Sequence, residues 1–171
     1  MKKFELTSEF ITNVLGTKLF RIKALVEFGD VSAGELGGYI EKEENLAQDG
    51  NAWVYGNAKV YGDAWVCDNA EVYGNAEVYG DAKVCGDAKV CGDADYSTVK
   101  GFGRIFRTTT FFRKKDKDIG VSCGCFYGTL EEFRKKVKET HGESKTAKEY
   151  LMLADLMEYK FSREMDEEVN Q

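Results

Sequence analysis

A six-residue repeat is the feature that most limits how this chain can fold. From Val54 the sequence runs without insertion through seven hexads, VYGNAK, VYGDAW, VCDNAE, VYGNAE, VYGDAK, VCGDAK and VCGDAD. Valine holds the first position of every hexad and alanine the fifth. Side chains alternate along a strand, so an alanine and the valine two residues later point the same way. The pattern predicts short strands with inward-facing valines and alanines, separated by turns rich in glycine, asparagine and aspartate.

This spacing resembles the hexapeptide-repeat, left-handed parallel β-helix family over residues 54–95, and more weakly upstream to about Gly29. In that family three six-residue faces form one turn of a three-sided prism, so residues eighteen apart become neighbours. The resemblance implies a mainly β fold, a left-handed parallel β-helix with an N-terminal β cap and a C-terminal β-hairpin plus two-helix cap. It also implies that Glu71 lies beside Lys89, and Lys59 beside Glu77.

The segments on either side of the repeat complete the expected domain organisation. We predict an N-terminal β cap over 1–28, the β-helix over 29–99, a β-hairpin over 100–128, a two-helix region over 129–162 and a disordered tail over 163–171. Thr129 and Glu132 have the spacing of a helix capping box. Two apolar stripes at helical spacing support the two helices, the first made by Leu130, Phe133 and Val137 and the second by Tyr150, Ala154, Met157 and Phe161.

A second resemblance covers longer segments of the chain. The segments RIKALVEFGDVSAGELGGYIEKEENLAQDGNAWVYGNA and VSCGCFYGTLEEFRKKVKETHG are similar to a family of small phage and prophage proteins. Members of that family are described only as hexapeptide-repeat proteins, without an assigned activity. The resemblance implies a mobile genetic element as the source and the host cell cytoplasm as the location.

Charge and hydropathy narrow the possible environments. The chain has 24 basic and 30 acidic residues, which argues against a generally basic protein that coats DNA. No apolar run approaches the roughly 20 residues of a membrane span, and the first residues do not read as an export signal. We therefore expect a cytoplasmic protein with no membrane contact, whose five cysteines are thiols. A disulfide between Cys67 and Cys85 is sterically conceivable but not expected in that compartment.

Aromatic residues beside the repeat valines suggest a binding surface. They are predicted to project outward and to contact a partner, and they comprise Trp53, Tyr55, Tyr61, Trp65, Tyr73 and Tyr79. The alternative is that they stack only to stabilise solvent-facing strands. The leading hypothesis is a non-enzymatic phage or prophage binding module. Its partner would be a host protein, a second or third copy of the chain in a dimer or trimer, or, in an anti-defence role, a host immune component.

An acyltransferase is the first alternative, because many proteins of the hexapeptide-repeat family are trimeric acyltransferases. Enzymes of that family typically use a histidine as general base, in the repeat domain or on a loop from it. This chain has one histidine, His141, outside the repeat and at a predicted helix end. The sequence therefore argues against an enzyme, and we predict no catalytic residues, no cofactor and no metal. Cys123 and Cys125 with one distant histidine make a weak metal motif.

A nucleotide or RNA binder is the second alternative. Basic residues interleaved with phenylalanines over residues 104–117 could grip phosphates and stack on bases, the candidates being Arg104, Arg107, Arg113, Lys114, Lys115 and Lys117. The competing interpretation is a solvated hairpin tip above a core of phenylalanines.

Overall fold

The computed structural model describes the backbone of residues 1–167 and the side chains of residues 1–162. The described part of the chain forms two compact units, the first Met1–Tyr96 and the second beginning at Ser97. The disordered tail predicted for 163–171 falls largely outside the described residues, although the backbone of 163–167 continues the last helix.

The first unit begins with an antiparallel meander. Strands β1 (Phe4–Thr12), β2 (Lys18–Ala24) and β3 (Leu36–Ile40) pair in sequence order. Strand β3 then pairs in parallel with a strand of the repeat, which produces a five-stranded sheet of mixed direction.

Each hexad of the repeat contributes a strand of only two residues. These are β4 (Trp53–Val54), β5 (Lys59–Val60), β6 (Trp65–Val66), β7 (Glu71–Val72), β8 (Glu77–Val78), β9 (Lys83–Val84) and β10 (Lys89–Val90). All seven valines are fully buried, and so are the alanines from Ala58 to Ala88, which confirms their inward orientation. Ala94 is exposed, contrary to expectation, because the last hexad enters a 3-10 helix at Asp93–Asp95.

The repeat strands pair in parallel with strands eighteen residues away. Glu71 lies opposite Lys89, as predicted, and Lys59 lies opposite Glu77. The Lys59 Nζ is 2.5 Å from a Glu77 carboxylate oxygen, so the predicted ion pair forms. Such partly exposed pairs contribute about 0.2–1 kcal/mol.

The predicted fold class is nevertheless wrong. The strands are distributed over four small sheets, three of them ordered β1-β2-β3-β5-β8, β10-β7-β4 and β6-β9, and the fourth formed by the four strands of the second unit. The described residues do not close into a solenoid, and they do not form a clear left-handed parallel β-helix. A strand of two residues supports only a short ladder, so the repeat strands are divided among separate sheets. One of these sheets also contains the antiparallel strands β1, β2 and β3. The chain is a mixed structure of small parallel, antiparallel and mixed sheets with two helices.

The second unit combines an antiparallel sheet with both helices. The sheet contains β11 (Tyr96–Phe102), β12 (Arg107–Arg113), β13 (Ile119–Cys123) and β14 (Phe126–Thr129), so the predicted hairpin region lies within four strands. Helices α1 (Leu130–His141) and α2 (Lys145–Glu167) follow. The Thr129 and Glu132 capping box is present, and both predicted apolar stripes are buried in one core with Phe111 and Val121. No helix among the described residues is long and apolar enough to cross a membrane.

Candidate functional site

The predicted aromatic surface of the first unit loses one of its six members. Trp53 is fully buried, and its ring packs edge-on against Phe4 at 6.2 Å and Phe28 at 5.3 Å between centroids. The outward orientation predicted for Trp53 is therefore wrong, because the N-terminal strand and the loop around Phe28 cover it. The repeat pattern alone does not show that these segments fold over that position.

The other five aromatic residues retain some solvent contact. Tyr79 is 53% exposed and Trp65 is 40% exposed, whereas Tyr55, Tyr61 and Tyr73 are half-buried. The Tyr61 and Tyr79 rings stack at 5.4 Å. These residues follow or begin strands of three different sheets, so the structure does not gather them into one cluster. Their role in partner binding stays a prediction.

A small polar network holds the tyrosine stack in place. The Tyr61 hydroxyl donates to Glu77 Oε2 at 2.9 Å, while Lys59 donates to the other oxygen of the same carboxylate. The hydrogen bond from Lys59 lowers the pKa of Glu77. Burial, followed by the hydrogen bond to Glu77, raises the pKa of Tyr61 to about 12. Tyr61 therefore stays neutral, as a donor fixed to a carboxylate, throughout the physiological pH range.

The basic residues predicted to bind phosphate do not act as one group. Arg113 donates to the Phe161 carbonyl oxygen at 3.3 Å, and its guanidinium lies over the Phe161 ring. Lys114 pairs with Asp116 at 3.3 Å, and Lys115 and Lys117 are exposed near the β12–β13 turn. Arg104 and Arg107, in contrast, reach the rim of a cavity.

That cavity has a volume of about 320 Å³ and is lined by residues of the second unit. Its apolar wall is formed by Ile105, Phe126, Phe133 and Val137. Its polar lining consists of Arg104, Arg107, Cys123, Cys125, Lys136, Thr140, His141 and Tyr150. An apolar cleft with a few converging polar groups is the usual form of a small-molecule site. The cavity contains the single histidine of the chain.

Two glycines allow the polar side chains to approach the cavity. Gly103 has φ +74°, and its missing Cβ leaves the space that the Tyr150 hydroxyl occupies. Gly124 has φ +62°, and the end of the Arg107 side chain lies where a Cβ would stand. Glycine adopts these left-handed conformations without steric cost, whereas other residues do so rarely.

Cys123 is the focus of the buried polar groups at this site. The Thr109 hydroxyl donates to the Cys123 sulfur at 3.2 Å, and Tyr150 is a neighbour of Cys123. Thr109 is 1% exposed and Tyr150 is 7% exposed. Burial, and then the neighbouring Cys123, raise the pKa of Tyr150 to about 12, although Arg107 opposes the shift. The Tyr150 hydroxyl is therefore protonated and able to donate at neutral pH.

Helix ends and turns supply the remaining polar groups. His141 is the last residue of α1, ahead of the Gly142 cap, and its ring lies 6.0 Å from that of Tyr150. Cys125 belongs to the two-residue turn between β13 and β14. Sequence reasoning assigned Tyr150 to a core stripe and His141 to a helix end, and both assignments are correct. It missed that the two residues meet, since no local signal links α1, α2 and the β13–β14 turn.

One cysteine expectation is corrected in the first unit. Cys67 and Cys85 are joined by a disulfide, with their Cα atoms 4.7 Å apart, so the five cysteines are not all thiols. Parallel pairing of β6 with β9 places these residues side by side just after each strand. A carboxylate oxygen of Asp68 lies within 4.8 Å of both sulfurs. Cys91, Cys123 and Cys125 are free.

Comparison with known proteins gives one partial likeness. No model of a known protein family matches the chain. An uncharacterized acetyltransferase of Escherichia coli (strain K12), YdcK, is 44% identical over 62 residues, which cover 32% of this chain and 19% of that protein. The chain thus spans about a fifth of the length of this relative. The likeness supports the resemblance to hexapeptide-repeat proteins and carries no link to phages.

Proposed function

We propose that this protein is an acyltransferase-like enzyme whose acyl-transfer site is the cavity of the second unit. The observation that carries the proposal is that His141 lies in an apolar cavity beside buried polar groups. The partial likeness to an acetyltransferase supports the same reaction class, which the sequence favoured only as an alternative. The match covers about a fifth of that relative. Its activity is therefore assigned to this chain only as part of this proposal.

The reaction needs a base and a place for the acyl chain. His141 would accept the proton of an amine or hydroxyl acceptor as it attacks the carbonyl carbon of an acyl thioester. The carrier thiolate would then leave and take from His141 the proton that came from the acceptor. A positioned histidine base contributes about 10²–10⁴-fold to such a step. Phe126, Phe133 and Val137 would hold the acyl group away from water.

The cationic rim would hold the phosphates of a donor such as acetyl-coenzyme A. Arg104, Arg107 and Lys136 line the cavity and are exposed. Within the described part of the chain no carboxylate forms an ion pair with any of the three. Charge-assisted hydrogen bonds from arginine to phosphate are among the strongest in proteins. This arrangement uses two of the six residues predicted to bind phosphate.

Acetyl-coenzyme A binding and turnover test the proposal directly. Titration calorimetry with the full chain should give saturable binding. The variants Arg107→Gln and Lys136→Gln should each weaken it, because each loses a contact to phosphate. Lys138→Gln is the matched control, because it removes the same charge from the same helix outside the cavity. His141→Asn should bind the donor but lose about 10²–10⁴-fold in transfer to a panel of amine acceptors.

Two results would reject the proposal. One is an absence of saturable acetyl-coenzyme A binding by the intact chain. The other is binding that Lys138→Gln weakens as much as Lys136→Gln does, since the affinity would then come from general charge.

Partner binding through the aromatic residues of the first unit is the second candidate function. The supporting observation is the Tyr61–Tyr79 stack, which leaves the Tyr79 ring 53% exposed. Capture of a host protein or self-association should weaken in Tyr79→Ala and persist in Val14→Ala, an exposed apolar site elsewhere in the unit. Equal capture by both variants would remove this candidate.

A further inference from the structure

We infer that Cys123 is a catalytic nucleophile that carries the acyl group covalently between donor and acceptor. This inference rests on the proposed function and adds a two-step reaction to it. Direct transfer within one ternary complex would need no cysteine at the site. The geometry around Cys123 is the reason to propose the additional step.

Cys123 is one member of a polar cluster and not an isolated thiol. The Thr109 hydroxyl, which is more than nine-tenths buried, donates to its sulfur at 3.2 Å, and the buried Tyr150 side chain is a neighbour of Cys123. A hydrogen bond donated to sulfur stabilises the negative charge of a thiolate more than it stabilises a neutral thiol. The Arg107 guanidinium packs on Gly124, the residue after Cys123, and lines the same cavity as Cys123.

The cysteine is also accessible to a ligand. Cys123 is half-buried and lines the 320 Å³ cavity, as His141 does. The other two free cysteines are exposed. Cys91 is exposed in the first unit, and Cys125 is exposed in a turn at the cavity edge. Cys123 and His141 thus line one cavity, and a nucleophile that shares a site with a base is the recurring arrangement of covalent catalysis.

The step balances without an oxidant or a reductant. The Cys123 thiol gives its proton to His141, and the sulfur attacks the carbonyl carbon of the donor thioester. A new carbon–sulfur bond to Cys123 forms while the bond to the carrier sulfur breaks, and the carrier thiolate takes the proton from His141. In the second half, an amine or hydroxyl acceptor attacks the Cys123 thioester. His141 takes the proton of the acceptor and returns it to the Cys123 sulfur.

The adduct can be detected by mass spectrometry. The full chain is incubated with acetyl-coenzyme A without an acceptor, quenched in acid and digested. One acetyl group should be found on the peptide containing Cys123, removable by hydroxylamine, and absent from Cys123→Ala. Cys91→Ala is the control, and it should keep the adduct and the transfer activity.

A second variant covers the case in which Cys123→Ala fails to fold. Tyr150→Phe keeps the buried ring and removes a hydroxyl of the group around Cys123, so it should slow formation of the adduct while the circular dichroism spectrum is preserved. Initial rates against both substrates should give parallel double-reciprocal lines, as in a ping-pong reaction.

The outcomes separate this inference from the proposed function. Transfer with intersecting lines and no adduct would overturn the inference and leave the acyltransferase standing. Acetyl on Cys125 instead of Cys123 would also overturn it. A chain that neither binds nor consumes acetyl-coenzyme A would overturn both.

Discussion

The aromatic residues of the repeat differ in how deeply they are buried. Trp53 and Trp65 begin strands with the same sequence, Trp-Val, yet one is fully buried and the other is 40% exposed. The difference comes from Phe4 and Phe28, which cover Trp53 from segments outside the repeat. The repeat pattern could therefore predict the strands but not which flanking residues become core.

The two tryptophans form a matched pair for testing this difference. Trp53→Ala should destabilise the chain by about 3–5 kcal/mol, because it removes a fully buried ring and leaves a cavity. Trp65→Ala should change stability by less than about 1 kcal/mol, since its ring is partly solvated. Urea unfolding followed by circular dichroism measures both. Similar losses in the two variants would show that Trp53 is not a core residue.

Lys3 is a buried cation whose titration should be visible in stability. Its ammonium group donates to the Ala52 carbonyl oxygen at 2.9 Å and lies 4.9 Å from the centre of the Phe28 ring. Burial lowers its pKa from 10.5 to about 8, although the Asp49 carboxylate acts in the opposite direction. Between these two values the unfolded chain binds more protons than the folded one. Stability therefore rises with pH across this window, by at most about 1.4 kcal/mol per pH unit.

The Lys3 prediction is tested between pH 8 and 9.5, below the range where tyrosines ionise. Unfolding by urea, followed by tryptophan fluorescence, should show the stability of the natural chain rising relative to that of Lys3→Met. Lys2→Met is the control, because Lys2 is exposed and pairs with Glu43 on the surface. A difference between the natural chain and Lys3→Met that does not change with pH would contradict the lowered pKa.

At the scale of elements, the disulfide links the residues that follow β6 and β9, two strands that pair in parallel. Cys67 and Cys85 close a loop of eighteen residues. A loop of this size predicts a stabilisation of about 3 kcal/mol. Reductant should therefore lower the urea midpoint of the first unit, measured by tryptophan fluorescence, since both tryptophans lie in that unit.

Two variants sharpen the disulfide test. The double variant Cys67→Ala/Cys85→Ala should be less stable than the natural chain and insensitive to reductant. Cys91→Ser should respond to reductant as the natural chain does, because Cys91 is a free exposed thiol. If reductant leaves the natural chain unchanged, the two cysteines do not form a stabilising bond.

Elements with a strong local signal could be predicted from the sequence. The capping box at Thr129 and the stripe of Leu130, Phe133 and Val137 depend on neighbours within the same helix. The pairing of Lys59 with Glu77 followed from the period of the repeat. The four-sheet arrangement and the disulfide could not be predicted. The sheet arrangement depends on which other segments the two-residue strands pair with. The disulfide depends on the oxidation state of Cys67 and Cys85.

The candidate site was even harder to predict from the sequence than the arrangement of the sheets. His141, Cys123 and Tyr150 come from a helix end, a strand end and the middle of a second helix. Each of the three residues belongs to a different local pattern in the sequence. The spacing between them does not indicate that they lie close together in space. Only the packing of α1 and α2 on the antiparallel sheet creates the cavity they share.

At the scale of the whole molecule, each unit has a core of its own. The first unit buries the valines and alanines of the repeat together with Trp53 and Phe4. The second buries an aromatic cluster in which the Phe133 ring lies 6.1 Å from Phe111, 5.5 Å from Phe126 and 5.7 Å from Tyr150. Because each core is built from residues of its own unit, we predict that damage to one core leaves the other core folded.

Phe133→Ala tests this independence. The substitution should cost the second unit about 3–5 kcal/mol, because it empties the centre of its core and one wall of the cavity. Hydrogen exchange should accelerate in peptides from 97–162, while the tryptophan fluorescence transition of the first unit keeps its midpoint. Leu156→Ala, an exposed position on α2, is the control and should leave both regions protected. Loss of protection throughout residues 1–96 in Phe133→Ala would show that the two units fold as one cooperative body.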